Sequence, residues 1–207
     1  MRAVALLKTL YCTNLAQIIC ACAVASTFGC GPALPRAVVS SPFAEEDARY
    51  FDDGADFVAD PTMLEGRWRE EWADDFQGRI EKADVMVVVH ISTVRTSVDL
   101  DHRTTYHLVP EPTQSLWEQL PPVELTVREG APGYASVHAS LERLQVGNYI
   151  LFVKWYTTDT GDVGAHWHLS PGTQAVIDRT AYLIEHRRTP LEGRHRVTVI
   201  THSNDND

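Results

Sequence analysis

The chain has 207 residues, of which 44% are apolar and 22% are charged, a composition typical of a folded globular domain rather than of a disordered or multispanning membrane protein. Its 18 Lys and Arg residues against 28 Asp and Glu residues give a net charge of -10. Such a negative field repels a phosphate backbone, so we expect no nucleic-acid partner.

The first thirty residues have the features of an export signal. Arg2 and Lys8 are the only charged residues before a mostly apolar stretch that runs from Thr9 to Gly29, and this order is that of a secretory signal peptide. The stretch ends in Ser-Thr-Phe-Gly before Cys30, which resembles the lipobox of bacterial lipoproteins. In that family the cysteine thiol receives a diacylglycerol before the chain is cleaved on its amino side. The resemblance implies that residues 1–29 are the signal peptide and that Cys30 is acylated.

Two alternatives to acylation at Cys30 remain open. The segment Ile-Cys-Ala-Cys forms a second box that ends at Cys22, with a more usual residue three positions before its cysteine. The apolar stretch continues as far as Phe28, and this favours Cys30. The stretch also has about the ~20 residues that a permanent transmembrane anchor needs, although Asn14 and Gln17 within it weaken that alternative.

The sequence after the signal divides into a tether, a domain and a tail. Residues 30–43 contain three prolines and no apolar periodicity, which is typical of a tether, here a lipidated one. Residues 44–200 carry the periodic patterns of one globular domain, and residues 201–207 predict a disordered tail. Cleavage before Cys30 removes the other three cysteines, so we expect no disulfide in the domain.

The first ordered element that the sequence predicts is a helix over residues 61–83. Asp60 followed by Pro61 is typical of a helix N-terminus, because aspartate accepts hydrogen bonds from free N–H groups and proline is tolerated at the first helical position. Large apolar residues then recur at every fourth position. They are Leu64, Trp68, Trp72, Phe76 and Ile80. We expect one stripe that faces the protein core, rather than an exposed surface for stacking on sugars.

From Val85 the apolar period changes from four residues to two, which predicts β-strands. The predicted strands are Val85–Ile91, Thr104–Val109, Val123–Val127, Val137–Leu141, Tyr149–Tyr156 and Ala165–Leu169, followed by a helix over residues 173–188 and a terminal strand at Val197–Ile200. Five or six antiparallel strands with two helices can close a small barrel. We therefore expect a mainly β (α+β) fold with a small antiparallel barrel at about residues 84–170.

The order of elements between residues 83 and 170 resembles that of the netrin module and of the tissue inhibitors of metalloproteinases, which have an OB fold. The resemblance rests on the Val-rich strand after Ala83, the Gly-Ala-Pro-Gly loop at residues 130–133 and the segment Val146–Phe152. It implies an OB-like barrel that binds other molecules and performs no chemistry. The cysteines of that family are absent here, so the resemblance does not imply metalloproteinase inhibition.

Four of the nine histidines alternate with core positions on the predicted strands. They are His107, His138, His166 and His168. By that alternation all four are expected to face solvent. His166 and His168 lie two residues apart, a spacing that can hold a metal ion, but no HExxH or CxxC motif and no nearby acid at ligand spacing completes a site. We expect solvated histidines and no metal.

The sequence carries no recognisable nucleophile elbow, phosphate loop or calcium loop. It favours a non-catalytic, lipid-anchored protein of the cell envelope that needs no cofactor and whose barrel binds an envelope protein or a glycan. Gly31 stands where many lipoproteins retained at the inner membrane have aspartate, and this favours the outer membrane. The alternative is a metal-dependent enzyme or metal-binding module that uses His166 and His168.

Overall fold

The centre of the structure is a six-stranded mixed β-sheet with the strand order β1-β6-β5-β2-β3-β4. The computed structural model describes residues 42–186. The strands are β1 Gly54–Ala55, β2 Val85–Val98, β3 Thr104–Trp117, β4 Leu125–Arg128, β5 Asn148–Thr157 and β6 Val163–Pro171, and the α-helices are α1 Gly66–Lys82, α2 Tyr134–Leu144 and α3 Gln174–Glu185. The sheet forms a nearly closed barrel, and the mainly β, α+β class is the predicted one.

Several sequence predictions lie outside the described residues. They are the signal peptide at 1–29, acylation at Cys30 or Cys22, nearly all of the tether at 30–43, the terminal strand at Val197–Ile200 and the tail at 201–207. Within residues 42–186, no helix combines the length and the apolar character that crossing a bilayer requires.

Each face of the sheet has its own apolar core, because successive side chains of a strand point to opposite faces. The inner core fills the barrel with Ala55, Val85, Val87, Val89, Ile91, Tyr106, Leu108, Leu125, Val127, Tyr149, Leu151, Val153, Trp155, Trp167 and Leu169 from the strands, and with Val137 and Leu144 from α2. The outer core consists of Phe51, Phe76, Ile80, Ala83, Met86, Ile150, Phe152 and Val176. The outer face of the barrel is therefore partly covered by α1 and α3 rather than open to solvent.

The segment predicted as a strand at Val137–Leu141 is a helix, α2. The alternation of Val137, Ala139 and Leu141 is also compatible with a helix, because Tyr134, Val137, Leu141 and Leu144 recur at spacings of three and four residues. Those four side chains pack on or within the inner core. The helical spacing extends over eleven residues, from Tyr134 to Leu144, whereas the strand alternation covers only five, and this segment therefore forms a helix.

The predicted helix at residues 61–83 begins later than its signals indicate. Asp60 does accept a hydrogen bond from the Thr62 N–H at 3.0 Å, but it caps a 3-10 turn at Pro61–Met63, and α1 starts only at Gly66. The helix predicted at residues 173–188 is found as α3, and Thr173 caps it by accepting a hydrogen bond from the Val176 N–H at 3.4 Å.

The apolar stripe of α1 is buried over only part of its length. Phe76 and Ile80 are fully buried and Trp72 is partly buried, but Trp68 is 67% exposed, so the prediction of a continuous core stripe is wrong at Trp68. A helix turns by about 100° per residue, so a spacing of four residues advances about 40° around the helix at each repeat. After three repeats between Trp68 and Ile80, the two side chains lie on different faces.

The strands between residues 85 and 171 pair antiparallel as predicted, but β1, which the sequence does not predict, pairs in parallel with β6 and makes the sheet mixed. This strand has only two residues, so no alternating pattern marks it in the sequence. It also packs on α2, where the Ala55 N–H donates to the Ser136 hydroxyl at 3.0 Å. A Cβ atom at Gly133 would lie 2.3 Å from the backbone of Asp53, so only glycine permits this close packing of the helix on the edge strand.

Candidate functional site

The outer face of β6 carries the two histidines that the sequence marks as metal candidates. Trp167 and Leu169 point into the barrel, so His166, His168 and Ser170 point to the outer face. The segment that contains β1 runs beside β6, and α1 covers part of the same face. These elements bring acidic and basic side chains onto the histidines.

His168 is buried between two carboxylates. Its side chain is 5% exposed, its Nδ1 lies 2.7 Å from the Asp52 Oδ1, and its Nε2 lies 3.1 Å from the Asp56 Oδ1. An ionised carboxylate can only accept hydrogen bonds, so both ring nitrogens must donate when both bonds are formed. Each ring nitrogen of His168 therefore faces a carboxylate.

Asp56 joins His168 to the helix α1. Its carboxylate also accepts hydrogen bonds from the Trp72 indole N–H at 2.9 Å and from Arg79 Nη1 at 3.3 Å. Arg79 in turn contacts the Ser170 hydroxyl at 3.3 Å, and its side chain is 6% exposed. We call Asp52, Asp56, Arg79 and His168 the charged cluster. It joins two carboxylates to one guanidinium group and one imidazole ring.

The pKa values of both aspartates in the charged cluster are lowered. Burial by itself raises the pKa of Asp56, but the hydrogen bond and charge of His168, together with the charge of Arg79, outweigh burial and hold the pKa far below its usual range. Burial likewise raises the pKa of Asp52, but the hydrogen bond and charge interaction with His168 and the charge of Arg79 outweigh burial, so the pKa of Asp52 is also lowered. Both groups are therefore ionised at neutral pH.

His166 lies at the edge of the charged cluster and is paired separately. Its Nδ1 lies 2.8 Å from the Asp53 Oδ2, and its ring stacks on Tyr156 with ring centroids 4.8 Å apart. Asp53 has a φ of 57°, a left-handed conformation that aspartate tolerates better than most residues. In that conformation its carboxylate also accepts a hydrogen bond from the Trp167 N–H at 3.0 Å.

One sequence prediction about these histidines is wrong. His168 does not face solvent, because α1 and the β1 segment cover the outer face of β6. The fold also brings Asp52, Asp53 and Asp56 beside the pair from more than a hundred positions away in the sequence. Among residues 42–186, however, no group of three or more His, Cys, Asp or Glu side chains has an arrangement that could hold a metal ion.

The other two candidate histidines lie elsewhere. His107 is on β3, where its Nε2 lies 2.9 Å from the Ser97 hydroxyl. His138 is on α2 rather than on a strand; it is exposed, and its Nδ1 lies 2.6 Å from the Tyr106 hydroxyl. The structure therefore brings together only His166 and His168 of the four.

A second polar site lies at the end of the barrel where β5 begins and β6 ends. A cavity of about 290 Å³ opens there between the C-terminal end of α2 and the start of α3. It is lined by Ala59, Arg143, Val146, Gly147, Asn148, Tyr149, Pro171, Gly172 and Thr173. The lining is mostly small or apolar, and Arg143 is the charged residue among them.

Arg143 is held by neutral acceptors. Its Nη1 donates to the Phe57 carbonyl at 2.8 Å, and its Nη2 donates to the Asp56 carbonyl at 2.6 Å and to the Ser140 hydroxyl at 2.8 Å. A side-chain hydrogen bond also links Arg143 to Tyr149. Its Nε is buried and has no hydrogen-bond partner among residues 42–186. Sequence reasoning missed this residue, because an arginine near the end of an amphipathic helix ordinarily indicates a solvated helix terminus.

Comparisons of this chain with protein-family models, with curated proteins and with solved structures find no match.

Proposed function

We propose that the chain is a non-catalytic lipoprotein of the cell envelope and that its barrel is a tethered binding module. The observation that carries the proposal is the contrast between two polar sites. The charged cluster on the outer face of β6 is closed by pairing among its own side chains, whereas the cavity beside Arg143 is open and has Arg143, Tyr149 and Thr173 in its wall.

The state of His168 argues against a role in acid–base catalysis. A general acid or base must come within hydrogen-bond reach of the substrate atom whose proton it moves. Both nitrogens of His168 are engaged by carboxylates, and the side chain is nearly inaccessible. The charged cluster is better explained as a structural link between α1, β1 and β6.

The cavity has the character of a small binding site. Ligand sites are typically concave and mostly apolar, with a few polar groups that fix orientation, and they begin at about 300 Å³. The cavity of about 290 Å³ combines an apolar wall with Arg143, Tyr149 and Thr173. It supports binding of a small group, either free or at an exposed part of an envelope protein or glycan.

The proposed anchor rests on the lipobox resemblance before Cys30. Diacylglycerol and a further acyl chain at that residue would make membrane attachment effectively permanent, since two or more chains suffice for stable anchoring. We propose the outer membrane as the location on the basis of Gly31. The partners in this proposal are the membrane, through the lipid, and an envelope protein or glycan, through the barrel; nucleic acid and cofactors have no part in it.

Acylation is tested by comparing two serine variants. We expect Cys30→Ser to abolish lipid labelling and partitioning into the detergent phase, whereas Cys22→Ser should leave both unchanged. The opposite pattern would move the acylated residue to Cys22, and loss of neither property would refute the lipoprotein proposal. Fractionation of membranes on a density gradient then tests the outer-membrane location.

Elemental analysis tests the metal-dependent alternative. We expect protein purified without a histidine tag to hold zinc and other transition metals far below one equivalent. Stoichiometric metal that disappears in a His166→Ala variant would favour the alternative and contradict the proposal. His166 is the better position to change, because it is less buried than His168.

A further inference from the structure

We propose that Ser97 is a nucleophile that takes up an acyl group from activated esters or thioesters, with His107 as its general base and Glu124 as the residue that positions His107. The inference goes beyond the proposed function, because it assigns a covalent modification to the β2–β3 hairpin and leaves binding to the cavity. It rests on a line of three hydrogen-bonded side chains on the outer face of the sheet.

The three side chains lie on neighbouring segments of the sheet. Ser97 is on β2, His107 is on β3, and Glu124 directly precedes β4. Tyr106 and Leu108 belong to the inner core, so His107 between them points to the outer face. Ser97 and Glu124 are exposed there, and the side chain of His107 is 26% exposed. An acyl donor in solution can therefore reach the Ser97 hydroxyl.

The hydrogen bonds place the proton of the histidine ring. The Nδ1 of His107 lies 3.4 Å from the Glu124 Oε2, and its Nε2 lies 2.9 Å from the Ser97 hydroxyl. An ionised carboxylate only accepts hydrogen bonds, so a neutral His107 that keeps both contacts carries its proton on Nδ1 and accepts from the Ser97 O–H at Nε2. This is the arrangement of a nucleophile, a general base and an orienting carboxylate.

Arg95 holds Glu124 in place and in its ionised form. It lies opposite His107 in the β2–β3 register, and its guanidinium pairs with the Oε1 of Glu124, whereas His107 contacts the Oε2. The hydrogen bond and charge of Arg95, together with the hydrogen bond from His107, outweigh burial and lower the pKa of Glu124. The carboxylate is therefore ionised at neutral pH, as the orientation of His107 requires.

The backbone of β2 supplies a donor for the oxyanion that forms during acylation. The Asp99 N–H donates to the Arg103 carbonyl, and in an antiparallel pair only alternate residues direct their backbone groups to the partner strand. The backbone of Ser97 therefore faces β3, and the N–H of Val98 faces the opposite edge. Because β5 pairs with β2 only as far as His90, no strand among residues 42–186 pairs with that edge at Val98. The N–H of the residue after a nucleophile is a known oxyanion donor.

The proposed step is a single acylation. The Ser97 Oγ attacks the carbonyl carbon of the donor and forms an ester bond, and its proton passes to the Nε2 of His107. The bond between that carbon and the leaving oxygen or sulfur then breaks, and the leaving atom keeps the electron pair and takes the proton from His107. Each chain consumes one acyl donor, so the product is a chain modified at Ser97.

The acylation is tested with p-nitrophenyl acetate and the full chain in a neutral detergent at neutral pH. We expect stoichiometric release of p-nitrophenolate, and mass spectrometry of proteolytic peptides should place the acetyl group on Ser97. The variant Ser97→Ala should abolish this release. Ser92→Ala is the matched control, because Ser92 is also exposed on β2 but its hydroxyl donates to the Val109 carbonyl at 3.3 Å; we expect unchanged acylation.

Two further variants test the partners of Ser97. We expect His107→Gln to slow acetylation of Ser97 at least about ten-fold, since general-base catalysis contributes about 10²–10⁴-fold. Glu124→Ala should slow it as well, and nitrogen NMR should show that the neutral ring of His107 moves its proton from Nδ1 to Nε2. A purely structural role of Glu124 would leave that tautomer unchanged.

Four results would overturn the inference. They are acetylation of other residues but not of Ser97, unchanged p-nitrophenolate release in Ser97→Ala, an unchanged rate in His107→Gln protein whose circular dichroism shows an intact fold, and an unchanged His107 tautomer in Glu124→Ala. None of these results depends on the lipid anchor or on the cavity, so lipid labelling and membrane fractionation report separately on the proposed function.

Discussion

The charged cluster and the Arg143 cavity meet at one residue and differ in how much open space lies beside them. The carboxylate of Asp56 belongs to the charged cluster, where it accepts from His168, Arg79 and Trp72. Its carbonyl accepts from Arg143 at the other site. The side chains of the first site are buried against one another, whereas the second site borders an open cavity of about 290 Å³. The presence of charged side chains alone therefore does not mark a ligand site; open space beside them is the more informative feature.

The largest effect that would test this comparison is expected from Asp56→Ala. The substitution leaves the buried guanidinium of Arg79 and the ring of His168 without their shared partner, and breaking a buried charge pair such as Arg79–Asp56 costs about 3–5 kcal/mol. That is a large part of the ~5–15 kcal/mol that stabilises a typical domain. Urea unfolding at neutral pH measures the loss.

The matched control is Asp74→Ala on the exposed surface of α1, for which we expect a change within about 0.5 kcal/mol. Similar unfolding free energies for Asp56→Ala and Asp74→Ala would show that the charged cluster does not hold the fold together.

The dependence of stability on pH gives the next largest effect. The folded-state pKa values of Asp52 and Asp56 lie below the ordinary value of 3.8, so their contribution is complete above that value and is lost as the pH falls through the folded-state values. We expect the unfolding free energy to fall between about pH 5 and the acid limit, by up to ~1.4 kcal/mol per pH unit for each group.

Denaturant titrations from pH 7 to pH 3 should show a smaller slope in Asp52→Asn than in the unmodified chain. The amide cannot titrate, yet its oxygen can still accept from His168. Identical slopes in the two proteins would assign the acid sensitivity to other carboxylates.

The smallest expected effect is that of His166→Ala. His166 and Asp53 are partly exposed, and pairs of this kind contribute about 0–1 kcal/mol. Thermal unfolding should therefore change little, in contrast with His168→Ala, which leaves the buried carboxylate of Asp56 and the partly buried one of Asp52 without their common partner. If the two variants lose the same stability, the distinction between the charged cluster and its edge is not valid.

The sequence predicts the barrel strands well because burial on two faces imposes a period of two over many residues. The prediction fails at α2. Val137, Ala139 and Leu141 fit the two-residue period of a strand, but Val137 and Leu141 also have the four-residue spacing of a helix. It fails at Trp68, where a four-residue spacing is mistaken for a single helix face. In each case the local pattern is compatible with two structures, and packing against the rest of the chain decides between them.

Neither polar site was predictable from local patterns. Asp52 and Asp56 reach His168 across 116 and 112 positions, and the short strand β1 that places them leaves no periodic signal. Within the described part of the chain, Arg143 is distinguished by its hydrogen bonds to the carbonyls of Asp56 and Phe57, which are a property of three-dimensional packing. The prediction of His168 as a solvated residue failed for the same reason, because the elements that cover it are distant in sequence.

The parallel pairing of β1 with β6 has a consequence for the order in which the chain folds. Gly54 and Ala55 pair with His168 and Leu169, so the first strand to be synthesised receives its sheet partners only after more than a hundred further residues have been made. Long-range pairing of this kind is slow, and unpaired strand edges promote aggregation. Until β6 is synthesised, Asp52, Asp53 and Asp56 lack the histidine side chains of that strand as hydrogen-bond partners, and their negative charge keeps the segment hydrated.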